Sequence, residues 1–192
     1  LGGHAAAMLD AAPDATLIGI DMDADNLRAA RETLAPHARR VRLFHARHDA
    51  LDEVLAQAGG QPADVVLADL GVSSNQLEQA DRGLSFQHDG PLDMRMDREA
   101  DTTAADVVNR LEETELADLI YQLGEDRYSR RIARAIVAAR RSQRIERTGR
   151  LAEIVAGAYP APARRSRRGV HPATRTFQAL RTYVNDLLGS LD

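Results

Sequence analysis

At 192 residues, 44% hydrophobic and 28% charged, the chain holds one ordinary domain or one domain with an insertion, and is too apolar to be disordered. It has no cysteine, which excludes disulfides and thiolate metal ligands, and no window approaches the roughly eighteen apolar residues of a membrane span. The net charge of −4 hides a division: residues 1 to 126 carry 10 arginines against 25 acids, net −15, and residues 127 to 192 carry 15 arginines against 4 acids, net +11. Every basic residue is an arginine. A basic half on an acidic chain points to a polyanionic partner. With no signal peptide, the composition reads as a soluble, cytoplasmic protein that touches no membrane. A start at Leu1, already inside a glycine loop, and a stop at Asp192 within a helical pattern give the expectation of a piece of a longer protein.

Leu1-Gly2-Gly3-His4 followed by Ala5 to Leu9 reads as a glycine loop entering a helix, which Pro13 closes. Glycines there let a backbone approach a ligand and leave helix amides free, although an ordinary turn reads the same way. Thr16 to Ile20 forms a short apolar strand ending at Asp21, and Asp25 to Leu34 a helix with Leu27, Ala30 and Leu34 on one face. An acid at such a strand tip accepts both ribose hydroxyls of a nucleoside cofactor; helix capping is the other role open to Asp21, Asp23 and Asp25, and suits Asp25 best. A further strand, Val41 to Phe44, leads through His45-Ala46-Arg47-His48-Asp49 to a helix at Leu51 to Ala58. By position this loop passes an adenine, which His48 can stack on; a solvated histidine is the plainer reading. Six scattered histidines without ligand spacing predict no metal site.

The centre of the chain is the stretch from Asp64 to Asp97. Val65-Val66-Leu67-Ala68 ends on Asp69 and enters Gly71-Val72-Ser73-Ser74-Asn75-Gln76, the pattern of a buried parallel strand delivering a carboxylate to the ligand-binding edge of an α/β sheet. Some twenty aperiodic residues follow, holding Phe86, Leu92, Met94 and Met96, too apolar for a disordered linker. From Asp101 the pattern turns helical: Asp101 to Leu111 with Thr102 or Thr103 as cap, Glu115 to Leu123, Arg127 to about Ser142, and Gly149 to Ala158. That run predicts a helical domain inserted into an α/β core. The arginines of the third helix read as a solvated charged face. The loop Arg164-Arg165-Ser166-Arg167-Arg168 has no acids to pair with and suggests phosphate contact. After His171-Pro172 a last helix, carrying Phe177, Leu180, Val184 and Leu187 on one side, is expected to return the chain to the α/β core.

A glycine loop, an acid after one strand and an acid after a later one serve dinucleotide dehydrogenases and S-adenosylmethionine enzymes alike. Specific motifs go further. The run Asp69 to Ser74 with Gln76, the segment Asp89-Gly90-Pro91-Leu92-Asp93-Met94-Arg95-Met96-Asp97, and the block His171 to Arg181 resemble the family of S-adenosylmethionine-dependent methyltransferases that modify the exocyclic N4 of a cytosine in bacterial small-subunit (16S) ribosomal RNA. The resemblance covers nearly the whole chain. It implies a class I, Rossmann-like α/β methyltransferase core, incomplete here, with an inserted all-helical domain. The core takes residues 1 to 79 and 171 to 192; the active-site loop and helical substrate-recognition domain take 80 to 170.

By the resemblance the cofactor is S-adenosylmethionine, with Gly2, Gly3 and His4 at its methionine end, Asp21 at the ribose, His48 near the adenine, and Asp69 and Gln76 on the donor side. An aromatic commonly stands where His48 stands, and a proline where Asn75 stands. Asp69, Ser73 and Ser74 are the candidates for accepting the target amine's protons. Phe86, Arg95, Arg164, Arg165, Arg167, Arg168 and Arg175 are the candidates for contact with 16S rRNA or the small ribosomal subunit, Phe86 or Met94 packing beside an unstacked base unless both are core residues. No metal is required, and the oligomeric state is open, a homodimer included. Two other readings stand beside this one: an rRNA-binding module that is catalytically inactive, and a nucleotide-dependent oxidoreductase. A doubly wound sheet also needs a strand between those ending at Asp21 and Asp69; without it their apolar edges are expected to lie exposed.

Overall fold

The computed structural model describes residues 1–69, 71–161 and 171–187, with the side chains of all of these except Ser74 and Asn75. The chain divides into two units, one comprising Leu1–Leu70 and Met96–Arg98, the other Gly71–Arg95 and Glu99–Gly189.

In the first unit a helix α1 (Gly3–Ala11) precedes strand β1 (Leu17–Asp21), helix α2 (Ala24–Thr33), strand β2 (Val41–His45) and helix α3 (Leu51–Gln57). The strands pair in parallel, Leu17 opposite Val41 and Asp21 opposite His45, so both carboxyl ends lie on one edge. Leu9, Leu27, Leu34 and Val54 form a small buried set. Arg40 fixes the end of α1 by donating to the carbonyls of Leu9 (3.0 Å), Ala12 (2.9 Å) and Ala15 (3.1 Å). The Leu9 carbonyl is one that a helix terminus leaves unsatisfied, and those of Ala12 and Ala15 belong to the turn that follows.

The strand expected at Val65 to Ala68 does not form. Residues 61 to 69 are all exposed, Val65 by 74%, Val66 by 65% and Leu67 by 63%, and among the described residues the sheet has two strands. An apolar run becomes a strand only when a neighbouring backbone satisfies its amides. Ile18 of β1 is 37% exposed as well, so the expected apolar exposure is present.

The second unit is helical: α4 (Ser74–Glu78), α5 (Ala104–Arg110), α6 (Glu113–Gly124), α7 (Ser129–Arg140), α8 (Thr148–Ala158) and α9 (Thr174–Val184). Thr103 caps α5 reciprocally with Asp106, as the Thr/Asp spacing predicts. Leu116 and Ile120 of α6, Ile132 and Ile136 of α7, Leu151 and Val155 of α8, and Phe177 and Leu180 of α9 are sealed in one core. The last helix therefore packs with α6 in the helical unit rather than returning to the α/β core, because its apolar stripe fits the cluster those helices leave open. By its contacts the helical unit begins at Gly71.

The long loop is ordered, and its apolar residues explain why. Leu84, Leu92 and Met94 are fully or almost fully buried in the same core. The backbone doubles back on itself: a Cβ at Gly90 would stand 1.8 Å from the Ala80 carbonyl oxygen, and one at Gly83, whose φ is +62°, 1.9 Å from that of Pro91. The returning segment is laced to its neighbours. Leu92 N–H donates to Glu146 O (2.8 Å), Thr148 N–H to Gly90 O (3.0 Å) and Ala104 N–H to Asp93 O (2.7 Å).

Carboxylates complete the lacing. Asp89 accepts from Gly149 N–H (2.9 Å) at the start of α8 and from Arg147 Nε (2.7 Å); first that amide and then the guanidinium hold its carboxyl below its ordinary range. Burial pushes Asp93 up, but the forked Arg95 guanidinium, 2.7 Å from each carboxylate oxygen, outweighs it and holds Asp93 low. Asp106 is held low by the Thr103 hydroxyl first, against some burial, with Arg144 helping.

Two outcomes follow. Gly90→Ala and Gly83→Ala should each destabilise the helical unit by about 2–4 kcal/mol, since backbone must move to admit the methyl, read as a lower urea midpoint. The three carboxyls with depressed folded-state values stabilise the helical unit above the ordinary aspartate range and lose that contribution as pH falls through their lower folded values. Far-UV circular dichroism should show this unit unfolding below about pH 4, and charge-neutral Asp93→Asn should flatten the acid limb.

Candidate functional site

Of the expected cofactor residues, Gly2, Gly3, His4, Asp21, His48 and Asp69 lie in the first unit and Gln76 in the second. Gly2 takes a left-handed conformation, φ +79°, and starts α1, whose Gly3 borders open space. The leading amides of such a helix have no intrahelical acceptor and attract a carboxylate or phosphate. His4 is exposed, and its Nδ1 lies 3.7 Å from Oδ2 of the equally exposed Asp69. Residues 65 apart in sequence thus meet where the glycine loop opens.

Asp21 stands at the tip of β1. One carboxylate oxygen accepts from Asp23 N–H (2.8 Å), the other from Asn26 Nδ2 (3.0 Å), which fixes its orientation and leaves lone pairs for a diol. Partial burial pushes its carboxyl above the ordinary value, and these two donors pull the other way. Helix capping falls to Asp23, which accepts from Asp25 N–H (2.9 Å), and not to Asp25. Asn26 escaped the sequence reading although it braces Asp21; its place five residues on, in the first turn of α2, was the available signal. His48 opens a 3-10 turn after β2 at the same carboxyl edge and is half-buried.

In the second unit Ser73 and Gln76 close a capping box around the start of α4. Ser73 Oγ accepts from Gln76 N–H (3.3 Å), and Gln76 Oε1 accepts from Ser73 N–H (2.9 Å) and from its hydroxyl (3.2 Å). Gln76 is only 3% exposed. Both polar groups are spent on loop geometry. The Ser74 side chain lies outside the described residues.

The RNA candidates divide. Phe86 is half-buried, its ring 4.8 Å from Phe177 edge-on and 4.7 Å from the His171 ring, and Met94 is fully buried, so neither side chain is displayed for stacking. Arg95 is engaged by Asp93 and donates to Ala100 O (2.6 Å), which makes it a brace of the loop. Arg175 is exposed and donates to the Glu125 carbonyl. Arg164, Arg165, Arg167 and Arg168 lie outside the described residues. Among the described residues no group of three or more His, Asp or Glu could hold a metal ion, and no helix is long and apolar enough to cross a membrane.

Comparison with known proteins covers the same ground. The chain is 50% identical over 185 residues to the ribosomal RNA small subunit methyltransferase H of Saccharopolyspora erythraea, spanning 96% of this chain and 56% of that protein. It is 51% identical over all 192 residues to the protein of that name in Symbiobacterium thermophilum, and 47% to that in Thermobifida fusca, spanning 60% and 58% of those proteins. The chain therefore spans less than two thirds of the length of these relatives. The sequence model of the MraW methylase family matches residues 1–192. A glycine-opened helix, an oriented acid at a strand tip and a second acid beside them are what a class I methyltransferase core requires, and the chain belongs to the MraW methylase family.

Proposed function

We propose that the chain provides the cofactor-holding part, the active-site loop and a substrate-recognition unit of an S-adenosylmethionine-dependent enzyme that methylates the exocyclic N4 of a cytosine in 16S rRNA of the small ribosomal subunit. The observation that carries this is the meeting of His4 and Asp69 at the mouth of α1, in the unit where Asp21 is held at the tip of β1. The names of the relatives support the rRNA substrate. Family membership sets the oxidoreductase reading aside.

The residues fit the cofactor. The free amides of α1 with Gly2, Gly3 and His4 take its carboxylate end, Asp21 its ribose hydroxyls, and His48 the neighbourhood of its base. Bound S-adenosylmethionine supplies a methyl carbon activated by the adjacent sulfonium. The exocyclic amine is a poor nucleophile because its lone pair is delocalised into the pyrimidine. Asp69, exposed and acceptor-only when ionised, can take hydrogen bonds from that amine as the nitrogen becomes tetrahedral and so restore its lone pair. Ser73 shapes the loop that follows Asp69. The proton released from nitrogen is acidic enough to pass to water.

One observation favours a second reading, RNA binding without catalysis by the 192 residues alone. Residues 61 to 69 are exposed and outside any strand, so no sheet fixes Asp69 in this chain.

Transfer of labelled methyl to small ribosomal subunits by the full-length protein, with nucleoside analysis, should yield N4-methylcytidine that Asp69→Ala lowers by about 100-fold or more. Methylation at another atom would reject the N4 assignment. Asp21→Ala should weaken cofactor binding by about 10–100-fold in calorimetry, the loss of a charged partner to two hydroxyls. Phe86→Ala should cost about 2–3 kcal/mol of stability through the lost aromatic packing, measured in urea, where a purely base-stacking side chain would leave stability unchanged.

A further inference from the structure

We infer that the outer face of α7 is a phosphate-backbone contact surface for the RNA substrate, built from Arg127, Arg130, Arg131, Arg134 and Arg141. At about 100° per residue Arg130, Arg131, Arg134 and the C-cap residue Arg141 fall within roughly 100° of arc, along about 17 Å of axis, and Arg127 stands in the turn just before the helix. The buried positions Ser129, Ile132, Ala133 and Ile136 lie on the opposite face. The five arginines are exposed.

The neighbouring arginines show that this is a sorted set. Arg140, on the buried side of the helix, donates to the carbonyls of Val108 (2.9 Å) and Leu111 (2.7 Å), and Arg144, beyond the helix, pairs with Asp106 and Glu146. On the stripe, among the described residues, Arg134 alone meets an acid, Glu113 at 3.5 Å. Arg127 lies over the Tyr128 ring at 4.8 Å, which steadies it without neutralising it. Arg175, held on the Glu125 carbonyl, adds a cation at the turn before Arg127.

Four like charges on one helix face, with a fifth in the turn before it, repel one another, a cost that an anion removes. Planar guanidinium forks match phosphate oxygens in pairs, and a straight ladder of them suits consecutive phosphates of one strand. An anionic membrane would also attract the charge, but membrane-surface helices set large apolar side chains beside their cations. Here Ala138 is the residue between Arg134 and Arg141 on this face, while Ile132 and Ile136 are sealed in the core. The choice of RNA among polyanions rests on the function proposed above.

The test is the salt dependence of binding of the full-length protein to 16S rRNA and to small subunits. R130Q/R131Q/R141Q should lower the slope of log affinity against log salt by about 2–3, near 0.7–0.9 per contact, and weaken binding roughly tenfold at 0.15 M salt. R130K/R131K/R141K should restore most of the slope, and cofactor affinity should not change in either. The single substitutions, each expected to lower the slope by just under one, carry the test should the triple variant melt early. An unchanged slope would overturn the inference, as would lost binding to phosphatidylserine vesicles with RNA binding intact. Normal N4 methylation with an unchanged slope would sink the stripe and spare the proposed function. A reduced slope in a protein that transfers no methyl would do the reverse.

Discussion

The helical unit depends on a backbone approach that only glycine permits. Gly90 lies against the Ala80 carbonyl and Gly83 against Pro91, so the segment after α4 closes on itself instead of wandering over the surface. That closure turns Leu84, Leu92 and Met94 inward and makes a long aperiodic segment part of the core. The returning segment then serves as an edge on which α5 and α8 start: Asp93 O receives Ala104 N–H, Gly90 O receives Thr148 N–H and the Asp89 carboxylate receives Gly149 N–H. Asp89 and Asp106 are, in this unit, fasteners of helix termini.

The two units use charge for different ends. In the first, Asp21 stands at the carboxyl edge of a parallel pair and Asp69 beside His4 at the mouth of α1. Burial keeps Asp21 from being an ordinary surface carboxylate, and Asn26 with Asp23 fixes its direction. In the second, arginines separate into those that satisfy carbonyls and carboxylates inside the fold and those left on one helix face. Arg95, Arg140, Arg144 and Arg181 belong to the former: Arg181 donates to Leu84 O (2.8 Å) and ties α9 to the loop. An arginine in a basic stretch is thus not automatically a ligand for nucleic acid.

Ser73 and Gln76 show how a motif residue can act through shape. Their reciprocal box fixes where α4 begins, and with it the course of the chain just after Asp69. Replacing either would disturb the loop before it touched any proton transfer.

The sequence by itself determined the helices. Apolar spacing of 3.6, Thr103 as a cap and Pro172 before the last helix placed α5 to α9 to within a few residues, because such signals are local. It also set the two strands ending at Asp21 and His45, and the glycine entry to α1. Only tertiary structure decided the rest. Val65 to Leu67 carry a strand's composition yet stay exposed, since a strand exists by pairing and no partner lies beside them among the described residues. The last helix joined α6, because an apolar stripe does not name the surface that will cover it. Likewise the packing of Phe86 against Phe177 came from a residue distant in the chain, whereas Arg95 and Gln76 found partners close by, in Asp93, Ala100 and Ser73. Local sequence fixes what a segment can form; which of its side chains remain free depends on contacts made from elsewhere in the chain.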